Sequence, residues 1–229
     1  MKIAITRLEG KERSDAARCA KFGHICSSVH PLRSELRDDE IVLFVESSNR
    51  GEFDAIFFTS ALPAKIIAPL MKSYPRVIAI GPQTARELQQ YSIDSETLPG
   101  FYSRDFVPYL GDWIRGKRIG IPRADVPNPG LLDAISAAGG IPQEFRCYRL
   151  IPTKTYLELK DANAILFTSA MSFSEAIWKP RDDLLIMAIG EITADKMRER
   201  DVNPIVVGDG SLEGTLAALA AYLERKGGR

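Results

Sequence analysis

Short runs of β-branched and other apolar residues alternate along this chain with longer stretches of helical period, the pattern of an α/β protein built on parallel sheets. Strands are predicted at 2–6, 25–32, 54–59, 76–80, 117–121, 142–150, 162–168, 184–189 and 203–207. The stretch 9–22 places Ala16, Ala17 and Ala20 before Phe22-Gly23, and 128–138 places Leu131, Leu132 and Ile135 before Gly139-Gly140. Both predict helices closed by a glycine, whose missing Cβ tolerates the left-handed residue that ends a helix. Two further helices, 104–114 and 212–225, each follow a serine, Ser103 or Ser211, suited to the N-cap position.

The pattern occurs twice. Ala55-Ile56-Phe57-Phe58-Thr59-Ser60-Ala61 returns as Ala164-Ile165-Leu166-Phe167-Thr168-Ser169-Ala170, and Ile80-Gly81-Pro82-Gln83-Thr84-Ala85 returns as Ile189-Gly190-Glu191-Ile192-Thr193-Ala194. One offset relates both pairs, since 168 − 59 and 193 − 84 each give 109. Lys2-Ile3-Ala4-Ile5-Thr6-Arg7 likewise aligns with Arg118-Ile119-Gly120-Ile121-Pro122-Arg123. Each repeat reads strand, helix, strand, strand ending in Thr-Ser, helix, strand ending in Ile-Gly, helix. Two similar halves predict two facing domains with a ligand between them. The segments 29–38 and 147–154 follow the second strand of each repeat and fit neither core, so they are candidate crossings between the domains and a candidate hinge.

Composition narrows the chemistry. Thirty Lys and Arg balance thirty Asp and Glu over 229 residues. No global field recruits nucleic acid or a membrane surface, so an anionic ligand has to be met locally. Cys19, Cys26 and Cys147 are odd in number and lack C-x-x-C spacing, which argues against a disulfide framework and a zinc site and fits a reducing cytoplasm. The opening Met1-Lys2-Ile3-Ala4-Ile5-Thr6-Arg7 reads as a strand rather than a signal peptide, and no apolar run approaches the ~18 residues that span a bilayer.

Ligands of open parallel sheets bind beyond the carboxyl ends of the strands. Thr59-Ser60, Thr168-Ser169, Ile80-Gly81 and Ile189-Gly190 stand at four such ends, with Thr84 and Thr193 in the first turns that follow. Unpaired N–H groups and the positive end of the helix dipole make each start an anion site without any lysine; the ordinary alternative is that these residues only cap α/β turns. Arg7 and Arg123, equivalent in the repeat, are candidates to pair with a ligand carboxylate, or else to form an inter-domain or surface salt bridge. Tyr148 opens the second crossing segment and can aim a phenol at the ligand, or simply pack the hinge. No G-x-G-x-x-G, Walker glycine loop or G-x-S-x-G is present, so dinucleotide, triphosphate and nucleophile-elbow chemistry are not expected. His24, a turn residue, and His30, in a crossing segment, are too few for a metal site or triad.

The order and spacing of Ile5-Thr6-Arg7, the paired Phe-Thr-Ser at 58–60 and 167–169, the paired Ile-Gly-x-x-Thr-Ala at 80–85 and 189–194, and Tyr148 resemble the uroporphyrinogen-III synthase family across essentially the whole chain. The resemblance implies two flavodoxin-like α/β domains joined by a two-stranded linker, the first βαβ unit being exchanged into the C-terminal half. On that pattern 1–32 and 153–229 form one domain, 37–147 the other, and 33–36 with 148–152 the linker. It implies closure of hydroxymethylbilane, a linear tetrapyrrole with eight carboxylates, to uroporphyrinogen III with inversion of the last ring and loss of water. The family's proposed route passes through an azafulvene and a spiro-pyrrolenine, with no cofactor or metal. Tyr148 matches the tyrosine suggested to assist departure of the hydroxyl. Arg7, Ser60, Thr84, Ser103, Ser169, Thr193 and Ser211 are the implied substrate contacts. Two positions depart from the pattern: Ala61-Leu62-Pro63 stands where an asparagine commonly follows the first Thr-Ser, and Thr-Arg-Leu replaces Thr-Arg-Pro.

A cytoplasmic monomer is expected, with the linear tetrapyrrole as its small-molecule partner, no nucleic acid or membrane partner, and transient contact with the preceding pathway enzyme. Two alternatives compete. A non-catalytic two-domain binding protein for an anionic small molecule would share the same features, and a sugar-phosphate isomerase would need a base that the motifs do not supply.

Overall fold

The computed structural model describes residues 1–8 and 15–227. In chain order the elements are β1 (Lys2–Leu8), α1 (Asp15–Ala20), β2 (Ile25–Leu36), α2 (Asp38–Asn49), β3 (Ala55–Phe58), α3 (Ala61–Ile67), β4 (Arg76–Ala79), α4 (Pro82–Gln89), β5 (Glu96–Thr97), α5 (Phe106–Leu110), β6 (Arg118–Ala124) and α6 (Pro129–Ala137). There follow β7 (Ile141–Pro152), β8 (Ala164–Phe167), α7 (Ala170–Ser174), β9 (Leu185–Ala188), α8 (Glu191–Arg198), β10 (Val206–Val207) and α9 (Leu212–Gly227). The helix expected over 9–22 is seen as α1, and positions 9–14 lie outside the described residues.

The chain divides into two compact units, Met1–Ser34 with Ile151–Arg229 and Glu35–Leu150. In the first, parallel strands pair in the order β10-β9-β8-β1-β2; in the second the order is β7-β6-β3-β4-β5, again parallel. Strands β3 and β8 show why. All four residues of each are buried, so neither alternates with polar positions. Ile56 and Phe58 pack with Phe44 and Leu88, whereas Ala55 and Phe57 pack with Phe106 and Ile135. In the other unit Ile165 and Phe167 join Phe173 and Met197, while Ala164 and Leu166 join Leu216 and Leu219. A strand covered by helices on both faces needs a continuous apolar run, and parallel sheets provide that setting.

The glycine stops act as expected. Gly23 and Gly139 adopt φ of +72° and +83°. Their N–H groups donate to the carbonyls of Ala20 and Ser136 at 3.0 and 2.9 Å.

Several expectations fail for local reasons. The span 104–114 is not one helix: 3₁₀ turns at Ser103–Asp105 and Gly111–Ile114 flank α5, and Gly111, at φ +53°, ends it. Asp105 occupies the N-cap position of α5, so Ser103 is not a cap. The strand expected at 203–207 is reduced to β10, because Pro204 has no N–H for a ladder. Strand β5 is polar and two residues long, and gives no apolar signal. Cys19 and Cys26 form a disulfide, with Cα atoms 6.1 Å apart, contrary to the cysteine count. The tight turn after α1 brings the helix's buried Cys19 back onto the start of β2, a closeness no spacing motif encodes. His24 lies in this turn but is buried, its Nδ1 3.3 Å from the Met1 amine. Burial, then the adjacent amine charge, hold its pKa below the usual histidine value. Among the described residues no helix is long and apolar enough to cross a membrane, and no cluster of three or more His, Cys, Asp or Glu is placed to hold a metal.

Candidate active site

Tyr148 owes its position to an irregularity in β7. The ladder with β6 runs Pro122↔Phe145 and Arg123↔Arg146, then jumps to Ala124↔Tyr148, so Cys147 is an extra residue. Such a bulge bends a strand end and re-aims the side chain beyond it. Cys147 and Tyr148 are buried in succession, between exposed Arg146 and Arg149. The Tyr148 carbonyl accepts the Asp125 N–H at 2.7 Å, fixing the backbone there. Its phenol oxygen lies 3.3 Å from Ser60 Oγ. Burial pushes the phenol above its ordinary pKa, while the Ser60 hydroxyl and the Arg123 charge pull the other way. The result is a phenol that stays protonated at neutral pH. Burial likewise pushes the Cys147 thiol up to about 12, which leaves it inert.

The first unit carries a parallel irregularity. Strand β1 pairs Thr6↔Val29 and then Leu8↔Leu32, so the extra residue in β2 falls within His30–Pro31, and buried Leu32 holds the register position that Tyr148 holds in β7. The His30 ring turns to the backbone: its Nδ1 is 3.1 Å from the Arg7 carbonyl oxygen.

The two strand-end serines differ as well. Ser169 is the N-cap of α7, and its Oγ accepts the Ser172 N–H at 3.0 Å while Ser172 Oγ accepts the Ser169 N–H at 3.1 Å. This reciprocal pair is a capping box. A hydroxyl network extends it, with Thr6 Oγ1 3.1 Å from Ser172 Oγ and accepting the Thr168 N–H at 2.9 Å. Ser60 has the same extended backbone at the N-cap of α3, φ −165°, yet its side chain makes no cap bond. By the 109 offset (172 − 63), the counterpart of Ser172 is Pro63, and in the strand alignment the counterpart of Thr6 is Pro122.

The remaining expected contacts are distributed over strand ends. Thr84 and Thr193 are buried in the first turns of α4 and α8, whose N-caps, Gly81 and Gly190, carry no side chain to cover the helix start. Gly190 also sits close to the chain, since a Cβ there would meet the Gly210 backbone nitrogen at a tight 3.2 Å. Ser211 caps α9 by accepting the Gly214 N–H at 2.9 Å, while its own N–H and hydroxyl donate to Asp209 at 2.9 and 2.7 Å. Ser103 Oγ accepts from Asn128 Nδ2 at 3.4 Å. Arg7 is held by buried Asp15, at 2.6 Å through Nε and 3.1 Å through the second nitrogen. Arg123 is buried against Glu144 and the Val126 carbonyl. Both strand-end arginines therefore serve carboxylates of their own unit, in largely buried pairs rather than the inter-domain or surface salt bridges expected. Of the expected residues, the structure brings together Tyr148 and Ser60. Asp15, Thr6, Ser172 and Pro63 were not singled out as functional beforehand, although the proline had been visible as a departure.

A model of the uroporphyrinogen-III synthase HemD family matches residues 16–218. The chain belongs to the uroporphyrinogen-III synthase family. Its activity is that of a cyclising lyase of tetrapyrrole biosynthesis, converting hydroxymethylbilane to uroporphyrinogen III. Solved structures of uroporphyrinogen III synthases share the fold. The enzyme from Helicobacter pylori superposes with a TM-score of 0.65 at 15% identity, covering 97% of this chain and 100% of that one. A mutant of the enzyme from the extremely thermophilic bacterium Thermus thermophilus gives 0.61 at 18% identity over 100% of both chains. Among curated proteins, sequence comparison finds no match.

Proposed function

We propose that this uroporphyrinogen-III synthase uses Tyr148 as the proton donor that starts ring closure. The observation that carries this assignment is the buried phenol, pushed up by burial and within hydrogen-bond distance of a hydroxyl. In the first step the Tyr148 Oη–H bond breaks and its proton goes to the terminal hydroxyl of the linear tetrapyrrole. The C–O bond breaks with its electron pair leaving on oxygen, so water departs and the ring-bearing carbon becomes electrophilic. A phenolate is left on Tyr148. Attack at the substituted carbon of the last ring, fragmentation and reclosure follow, and the proton released from the ring carbon at reclosure restores the phenol. The net change is loss of one water. Spontaneous closure gives the uninverted ring, so the protein's larger task is to hold the chain in one geometry.

Eight carboxylates have to be held on a neutral protein. We assign them first to the helix starts at Thr84 and Thr193, where glycine N-caps offer no side-chain cap and the dipole favours anions, although Pro82 has no N–H and that of Thr193 already donates to the Gly190 carbonyl at 3.1 Å. Ser169 and Ser103 are adjoining contacts. Arg7 and Ser211 already face Asp15 and Asp209, so they contribute where a substrate carboxylate displaces or bridges those partners. Two flavodoxin-like domains, 1–32 with 153–229 and 37–147, joined by 33–36 and 148–152, complete the proposal. Its support is that each compact unit carries five parallel strands in the same relative order once β6 and β7 are matched to β1 and β2. A cytoplasmic monomer in transient contact with the preceding enzyme remains part of it. Purified protein given freshly made hydroxymethylbilane is expected to yield the type III isomer; type I alone, at the uncatalysed rate, would reject the proposal. No observation favours a non-catalytic binding protein.

A further inference from the structure

The repeat supplies its own control for one residue. A serine at a helix N-cap with extended backbone ordinarily accepts an N–H from the second or third helical residue. Ser169 does so through Ser172, and its hydroxyl is thereby committed to α7. At Ser60 the backbone is the same but the third residue of α3 is Pro63, which has no N–H to give, and Ser60 does not take the N–H of the second residue, Leu62, either. The Ser60 hydroxyl is left without a cap partner and sits 3.3 Å from the Tyr148 phenol oxygen.

We propose that Ser60 is a positioning residue for the Tyr148 phenol, and that Pro63 is what releases it for this task. The proposal rests on the assignment of Tyr148 as proton donor. When Tyr148 gives up its proton, negative charge develops on its oxygen. Ser60 Oγ–H then donates to that oxygen, a hydrogen bond to a charged group that is stronger than the one made by the neutral phenol. Ala61, Leu62 and Pro63, which follow Ser60, have no side-chain donor, and the Arg123 charge acts on the phenol in the same direction as Ser60. Before reaction the same bond fixes the phenol's direction. The bulge at Cys147 and the proline at the third position of α3 thus act on one pair of atoms from two sides.

The test is a double-mutant cycle with Ser60→Ala and Tyr148→Phe, with kcat and KM measured separately and tyrosinate absorbance followed as the protein is titrated to alkaline pH. Ser60→Ala is expected to lower kcat about 10-fold, with KM nearly unchanged. It should raise the pH at which the Tyr148 component of the absorbance appears, the component being assigned by its loss in Tyr148→Phe. In the Tyr148→Phe background Ser60→Ala should cost nothing further. Ser60→Thr, which keeps the hydroxyl, should restore most of kcat. Pro63→Ser, which offers the third-residue N–H and hydroxyl of the other repeat, should shift both kcat and the titration toward the Ser60→Ala values. If Tyr148→Phe turns over like the parent, the proton-donor assignment fails and this proposal with it. If Tyr148→Phe is impaired but Ser60→Ala leaves kcat and the titration unmoved, or lowers kcat equally in both backgrounds, the positioning role alone is overturned.

Discussion

The Thr-Ser turns of the two units start from nearly identical sequence and end in different chemistry. In the first unit Thr6, Thr168, Ser169 and Ser172 satisfy one another, and the turn is a closed hydroxyl network. In the second, prolines stand at the positions of Thr6 and Ser172, and Ser60 turns to Tyr148. The second strands diverge in parallel. Past the irregularity the same register position holds buried Leu32, which has no polar side-chain atom, in one unit and Tyr148, whose phenol meets the Ser60 hydroxyl, in the other. One copy of the turn thus satisfies itself with hydrogen bonds, while in the other, prolines at two of the equivalent positions go with a Ser60 hydroxyl that makes no cap bond and meets the Tyr148 phenol.

That contrast can be broken from the structural side. Ser172→Pro imports the second unit's residue into the first. It removes the capping N–H and leaves the buried Thr6 hydroxyl without its Ser172 partner, so denaturant unfolding should show a loss of about 2–4 kcal/mol. A change below experimental error would mean that the network does not stabilise the turn. Ser169→Ala removes the cap acceptor alone and leaves Ser172 in place. The same measurement should give about 1 kcal/mol, smaller than the proline change.

A gentler probe uses pH. Burial raises the Tyr148 phenol in the folded protein, so the fold binds that proton more tightly than the unfolded chain does. The stability this contributes is fully present below the ordinary tyrosine value of about 10 and is lost as pH rises through the folded value. Cys147, pushed up to about 12, acts with the same sign and begins to weaken the fold nearer 9. Comparing parent and Tyr148→Phe separates the two: the parent's denaturation midpoint should fall more steeply above pH ~10, and superimposable slopes would show that the phenol is not buried in solution.

How much of this was legible beforehand depended on what each residue signals alone. Continuous apolar runs such as Ala55–Phe58 and Ala164–Phe167 announce strands buried on both faces, and Gly23 and Gly139 announce helix ends, because one residue's chemistry decides each. The bulge at Cys147 carries no such mark. It shows in the pairing register, and within β7 it is the one place where two consecutive residues are buried. The break at Gly111 was hidden by an apolar stripe of helical period, and β5 by its polarity. Arg7 and Arg123 are visible in the sequence as a matched pair near strand ends, but their carboxylates, Asp15 and Glu144, come from the next helix and the neighbouring strand. Pro63 was visible as a departure from the family pattern. Its meaning needed the capping box in the other repeat, since the loss of an N–H matters through the hydroxyl it would have engaged.

The most direct test of the account is single-turnover conversion of hydroxymethylbilane by the parent and by Tyr148→Phe, with the isomers of the product resolved. The parent should give type III. Tyr148→Phe, still folded, should consume substrate at least about 10-fold more slowly, with type I rising as spontaneous closure competes. Type III formed by Tyr148→Phe at the parent rate would contradict the central claim.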